Sequence, residues 1–75
     1  MLAMDEKEFL LKLADLMDTE EELSIDKPLG DIEEWDSLSY VAFMAFAHNT
    51  FKRDLERKDV RQAETVGDLY KLVML

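Results

Sequence analysis

Asp36-Ser37-Leu38-Ser39-Tyr40-Val41-Ala42-Phe43-Met44-Ala45-Phe46-Ala47-His48-Asn49-Thr50-Phe51 is the stretch on which the fold turns. The aspartate that opens it can accept the unpaired amide hydrogens of a first helical turn, and nearly everything after it is apolar. A helix over residues 37–51 is therefore expected, with Asp36 as its cap. At about 100° per residue, Tyr40, Phe43, Met44, Ala47 and Phe51 gather into one stripe, which the core should cover. Leu38, Val41 and Ala45 fall outside that stripe and beside Ser37, with His48 and Lys52 among them. One buried face does not account for a second apolar strip next to a serine.

Upstream of this helix, residues 18–36 lose all periodicity: acids, Pro28 and Gly30 separate the isolated apolar residues Leu23, Ile25, Leu29 and Ile32. The reading is a long ordered loop pinned by those four anchors. Loops of this length are uncommon in small domains, and are more often functional or disordered than incidental. Before the loop, Asp5 can cap an amphipathic helix over residues 5–17, with Glu8 placed to complete a capping box. Phe9, Leu10, Leu13, Leu16 and Met17 share one side of it, and Lys12 and Asp15 the other. Downstream, residues 55–62 can form at most a short, charged helical segment with Leu55 and Val60 turned inward. In the last helix Thr65 is the cap, Asp68 lies near the positive end of the dipole, and Val66, Leu69, Tyr70, Val73 and Met74 share a face. No alternating run is long enough for a sheet. The expected fold is all-α: a small four-helix bundle with a long loop between helices 1 and 2 and a short third helix.

Size and charge narrow the function. A chain of 75 residues is read as a single domain, residues 1–75, because neither half would bury enough apolar surface alone. With no cysteine, neither disulfides nor thiolate metal sites can staple it. The first residues lack the basic region and apolar run of a signal peptide, and no segment approaches a membrane span of about 20 apolar residues, so a soluble, cytoplasmic protein is expected. The net charge of −9 argues against nucleic-acid binding, which needs clustered Lys and Arg. That charge is unevenly held. Residues 1–36 carry 13 acids against 3 lysines, whereas residues 37–75 carry 5 acids against 6 bases. The acids at 20–22 and 31–36 lack the spacing and central glycine of an EF-hand loop, so a solvated acidic loop is expected rather than a calcium site. His48, beside Asn49 and Thr50, reads as surface polarity. Trp35 is either a loop anchor or a partner contact.

Along essentially its whole length the sequence resembles the acyl carrier proteins. Asp36-Ser37-Leu38 looks like the family's Asp-Ser-Leu attachment motif. Its context strengthens the likeness: Ile25-Asp26-Lys27-Pro28-Leu29 upstream, a helix that the motif opens and Phe51 closes, and Glu64-Thr65-Val66-Gly67-Asp68-Leu69 opening the last helix. The resemblance implies that a phosphopantetheinyl transferase moves 4'-phosphopantetheine from coenzyme A onto Ser37. Cargo would be held there as a thioester, with loading and cargo-using enzymes as partners and a monomer as the working form. Asp36 would serve as motif residue and cap, and Leu38 as motif residue. Physical chemistry agrees, since a phosphodiester at a helix N-terminus meets amide hydrogens and the positive end of the dipole. Ser37 is not expected to be a nucleophile in an enzyme of its own, because the sole histidine, His48, lies about three turns away.

The chain departs from the family's usual pattern in one respect. Carriers of fatty acid synthesis are typically acidic along the second helix, whereas residues 37–53 contain no acid. The exposed positions are expected to be Ser39, His48, Asn49, Thr50, Lys52 and Arg53, followed by Arg57, Lys58 and Arg61. Enzymes that recognise an acidic helix would not be steered to such a surface. Docking is expected instead to use Leu38, Val41 and Ala45, with Tyr40 and Met44 at the margin, together with the acidic loop. The bulk of Tyr40, Phe43, Phe46 and Phe51 implies short or polar cargo, while Ala45, Ala47 and Ala63 leave space and argue the other way. The leading expectation is a carrier in a specialised biosynthetic pathway. A general fatty-acid carrier and an unmodified helical adaptor are the alternatives.

Overall fold

In the computed structural model, which describes residues 4–74, four helices account for most of the chain: α1 (Glu6–Met17), α2 (Ser37–Phe51), α3 (Arg57–Gln62) and α4 (Val66–Met74). Among the described residues there is no strand, and no helix is long and apolar enough to cross a membrane. Each start has a local cause. Asp5 accepts the Glu8 amide at 2.8 Å, which is one half of the expected capping box; the return bond from the Glu8 side chain is not formed. Asp59 accepts the Glu56 amide at 3.2 Å ahead of α3. At α4 the exchange is complete: Thr65 Oγ1 accepts the Asp68 amide at 3.2 Å, and the Asp68 carboxylate accepts the Thr65 amide at 3.2 Å and the Glu64 amide at 2.9 Å. The two longest helices stop in the same way. Asp18 and Lys52 adopt left-handed backbone, with φ of 56° and 59°, and turn their amides back onto the last carbonyls of α1 and α2.

The core is built from all the elements. Phe9 and Leu13 of α1, Phe43 and Ala47 of α2, Val60 of α3 and Val66 and Leu69 of α4 are completely buried. Aromatic rings fill its centre. Phe9 meets Phe43 edge-on at 6.3 Å and Tyr70 at 5.0 Å, and Phe46 links Phe43 to Phe51. Tyr70 also donates to the Met4 carbonyl at 2.9 Å, which fastens α4 to the beginning of the described chain. Leu11 of α1 is 66% exposed and takes no part in this core.

The segment between α1 and α2 contains a single 3-10 turn, Leu29–Asp31. Leu23, Leu29 and Ile32 are buried and Ile25 is half-buried, so the four anchors expected from sequence all reach inward. Its other attachment is backbone to backbone. Gly67 N–H donates to Ile25 O at 2.8 Å, Val66 N–H to Lys27 O at 3.0 Å and Leu29 N–H to Glu64 O at 2.8 Å, with Pro28 and Thr65 bridged antiparallel. Two short stretches that read separately in the sequence, 25–29 and 64–67, therefore lie side by side. Gly67 makes the approach possible, because a Cβ there would stand 2.8 Å from Ile25 Cγ2 and 3.1 Å from Ile25 O.

Candidate functional site

Ser37 is the first residue of α2, and its side chain is exposed. Among the described residues its hydroxyl makes no hydrogen bond. What holds it in place is Asp36, whose backbone is extended and whose Oδ1 accepts the amides of Leu38 and Ser39, both at 3.1 Å. The Asp36 carbonyl accepts the Tyr40 amide at 3.1 Å. This narrows the expectation about helix-terminal donors. The Leu38, Ser39 and Tyr40 amides are already engaged by Asp36, so the dipole at the start of α2 is the main attraction left for an anion at Ser37.

Ser39 corrects the expected surface. It is buried, at 7% exposure, and its hydroxyl donates to the Glu34 carbonyl at 2.7 Å while lying 3.3 Å from Asp36 Oδ1. The hydroxyl is satisfied by the loop that folds over it, so a polar residue about 40° from Phe43 on the helix is buried at the edge of the core stripe. Ser39 thereby braces both the cap and the end of the loop. Trp35 is half-buried, and its ring lies 5.3 Å from Tyr40 and 6.3 Å from Phe43, which pins the end of the loop to α2.

The strip expected on α2 is exposed. Leu38 is 80% exposed, Val41 56%, and Ala45 is open to solvent as well, whereas Tyr40 and Met44 are half-buried at its edge. At the far end of the helix His48 Nδ1 lies 2.7 Å from Asp54 Oδ1, an exposed pair remote from Ser37 in sequence. In the loop, Lys27 is paired with Glu21; that hydrogen bond, opposed by partial burial and aided by the charges of Glu21 and Asp31, holds the ammonium above its usual pKa.

Beside Ser37 the structure contains a feature that the sequence did not signal. A groove of about 360 Å³ opens between the end of α1 and the start of α2, walled by Leu16, Met17, Leu38 and Ala42, with Glu34, Asp36 and Ser39 as its polar side. Glu34 Oε1 is buried and has no hydrogen-bond partner among the described residues. Leu16 and Met17 belong to the apolar face of α1, and nothing in that pattern distinguishes a core residue from one lining a groove at the core's edge. No group of His, Asp and Glu able to hold a metal ion is found among the described residues. No family model, curated protein or solved structure matches the chain.

Proposed function

We propose that this chain is an acyl or aminoacyl carrier protein whose four helices form the small carrier bundle, with Ser37 as the attachment point of a 4'-phosphopantetheine arm. The observation that carries the reading is the setting of the Ser37 hydroxyl: exposed, free of hydrogen bonds among the described residues, and held at the first position of a rigid helix by the Asp36 cap. An enzyme can reach such a hydroxyl without unfolding anything. The residues around it suit the arm. The start of α2 favours an anionic diester, and the groove alongside offers apolar walls and a buried carboxylate oxygen that lacks a donor.

Attachment would form a bond between Ser37 Oγ and the phosphorus nearest the pantetheine of coenzyme A. The bond from that phosphorus to adenosine 3',5'-bisphosphate breaks, and the hydroxyl proton passes to a base on the transferase. When bound, the arm supplies a terminal thiol on which cargo is held as a thioester. This chain's own residues present and orient the arm; the reaction centres belong to its partners. Those partners would be dedicated to it, recognising the Leu38, Val41 and Ala45 strip and the acidic loop rather than an acidic helix. The crowding of Phe9, Phe43, Phe46, Phe51 and Tyr70 in the interior supports short or polar cargo; interior NMR contacts from a bound long acyl chain would remove that part of the reading.

The test is intact mass after incubation with coenzyme A, magnesium and a broad-specificity phosphopantetheinyl transferase. The expected result is a gain of one phosphopantetheine, abolished by Ser37→Ala. In the same assay with the cognate loading enzyme, Val41→Asp should slow cargo transfer, and unchanged kinetics would take the strip out of the account. No mass gain with any transferase would favour an unmodified adaptor, which the exposed Leu38 and Val41 would serve equally well.

A further inference from the structure

We propose that the groove between α1 and the first turns of α2 seats the pantoyl end of the arm, so that the arm folds back against α1 instead of standing free of the protein. This rests on the reading of Ser37 as the attachment serine. Three observations carry it: position, chemistry and size.

Asp36 and Leu38, the two residues flanking Ser37, both line the groove, so the groove begins within one residue of the attachment serine. The pantoyl unit follows directly after the phosphate. It carries two geminal methyl groups, a hydroxyl and then an amide N–H. The groove is complementary to that set. Its walls are the side chains of Leu16, Met17, Leu38 and Ala42, and its polar side is rich in acceptors. The Ser39 hydroxyl is already committed to the Glu34 carbonyl, and Asp36 Oδ1 to the α2 amides, which leaves Glu34 Oε1 as the buried acceptor without a donor. A buried oxygen in that condition is stabilised by any neutral donor brought to it. The Glu34 carboxylate in the groove disfavours the anionic phosphate, which stays tethered at Ser37 while the neutral pantoyl unit enters.

Size sets the limit. A volume of about 360 Å³ lies at the low end of the range of small-molecule pockets, about 300–1,000 Å³. It holds the pantoyl end, and the thioester with its cargo remains outside and available to enzymes.

The experiment is NMR on the loaded full chain, with the protein's methyl groups labelled with carbon-13 and the arm unlabelled. The geminal methyls of the arm should show nuclear Overhauser contacts to the methyls of Leu16, Met17, Leu38 and Ala42. Ala42→Phe, which fills the groove, should take up the arm by mass yet lose those contacts. If the wild-type chain gains the arm and its methyls show no contact to the protein, or contacts only to α3 or α4, the inference is overturned while the reading of Ser37 stands. If no arm is gained at all, the reading of Ser37 has failed instead.

Discussion

Two serines two residues apart, Ser37 and Ser39, have opposite roles, and the difference is one of hydrogen bonding. The Ser37 hydroxyl is exposed and unengaged, so Ser37→Ala should change stability by less than about 0.5 kcal/mol while removing the attachment oxygen. Ser39 is buried and bonded to the Glu34 carbonyl at 2.7 Å. Ser39→Ala deletes that bond and leaves the carbonyl short of a donor, a loss of about 1–2 kcal/mol, or roughly 4–8 °C in Tm per kcal/mol for a domain of this size. Urea and thermal unfolding of the two variants check the contrast; equal stabilities would show that the Ser39 bond adds nothing. Ser37 was legible because a serine after a capping aspartate, ahead of an apolar helix, is a pattern within a few neighbouring residues. The burial of Ser39 was not, because its angle, about 40° from Phe43, marks only the edge of the stripe while its polarity points to solvent, and the partner that satisfies this hydroxyl comes from a loop whose path the wheel does not contain.

At the scale of elements, caps and stripes carried most of the information. The start of α1 at Glu6 and both ends of α2 follow from Asp5, Asp36 and the apolar spacing, and the last helix begins after Thr65 as its sequence predicts. The third helix is shorter than the expected segment, beginning at Arg57, because Asp59 caps it from within by taking the Glu56 amide. The loop was legible in its anchors but not in its attachment to α4, since backbone-to-backbone bonds between residues 25–29 and 64–67 leave no side-chain pattern to read. Asp68 lies at this junction. Hydrogen bonds from the Glu64 and Thr65 amides, with smaller help from Lys71 and the Thr65 hydroxyl, hold its carboxyl below the usual aspartate value. A carboxyl depressed on folding stabilises the protein above its unfolded-state pKa, about 4, and that contribution is lost as pH falls through the lower folded value. Asp68→Ala should therefore melt below the wild type at neutral pH, with the gap narrowing as pH falls below about 4. Thermal melts at several pH values check this, and a gap that stays constant down to acid would mean that the charge on Asp68 is not what holds the α4 terminus.

At the scale of the whole molecule, the segregation of charge sets a cost that the sequence makes visible and the fold makes concrete. The 13 acids and 3 lysines of residues 1–36 are carried by α1, the loop and the approach to Ser37. Folding draws them into a body with a radius of gyration of 11.0 Å. The Debye length is about 30 Å at 0.01 M salt, about 10 Å at 0.1 M and about 3 Å at 1 M. At the lowest of these it exceeds the molecular radius, so the acids of this half repel one another across the structure; by 0.1 M the reach has fallen to about one radius. Repulsion is weaker in the expanded unfolded chain, so screening should stabilise the folded one. The opposing effect is the screening of favourable pairs such as Lys58 with Glu56, but exposed pairs of this kind contribute only about 0–1 kcal/mol each. With an excess of ten acids in one half, repulsion outweighs them. The urea midpoint should therefore rise with sodium chloride, steeply between about 0.01 and 0.1 M and then level off as the Debye length drops below the radius. A midpoint that is flat or falls over that range would mean that local pairing, not collective repulsion, governs the acidic half. A rise that continued linearly to high salt would point to salting-out of apolar surface, which strengthens burial, instead of to charge.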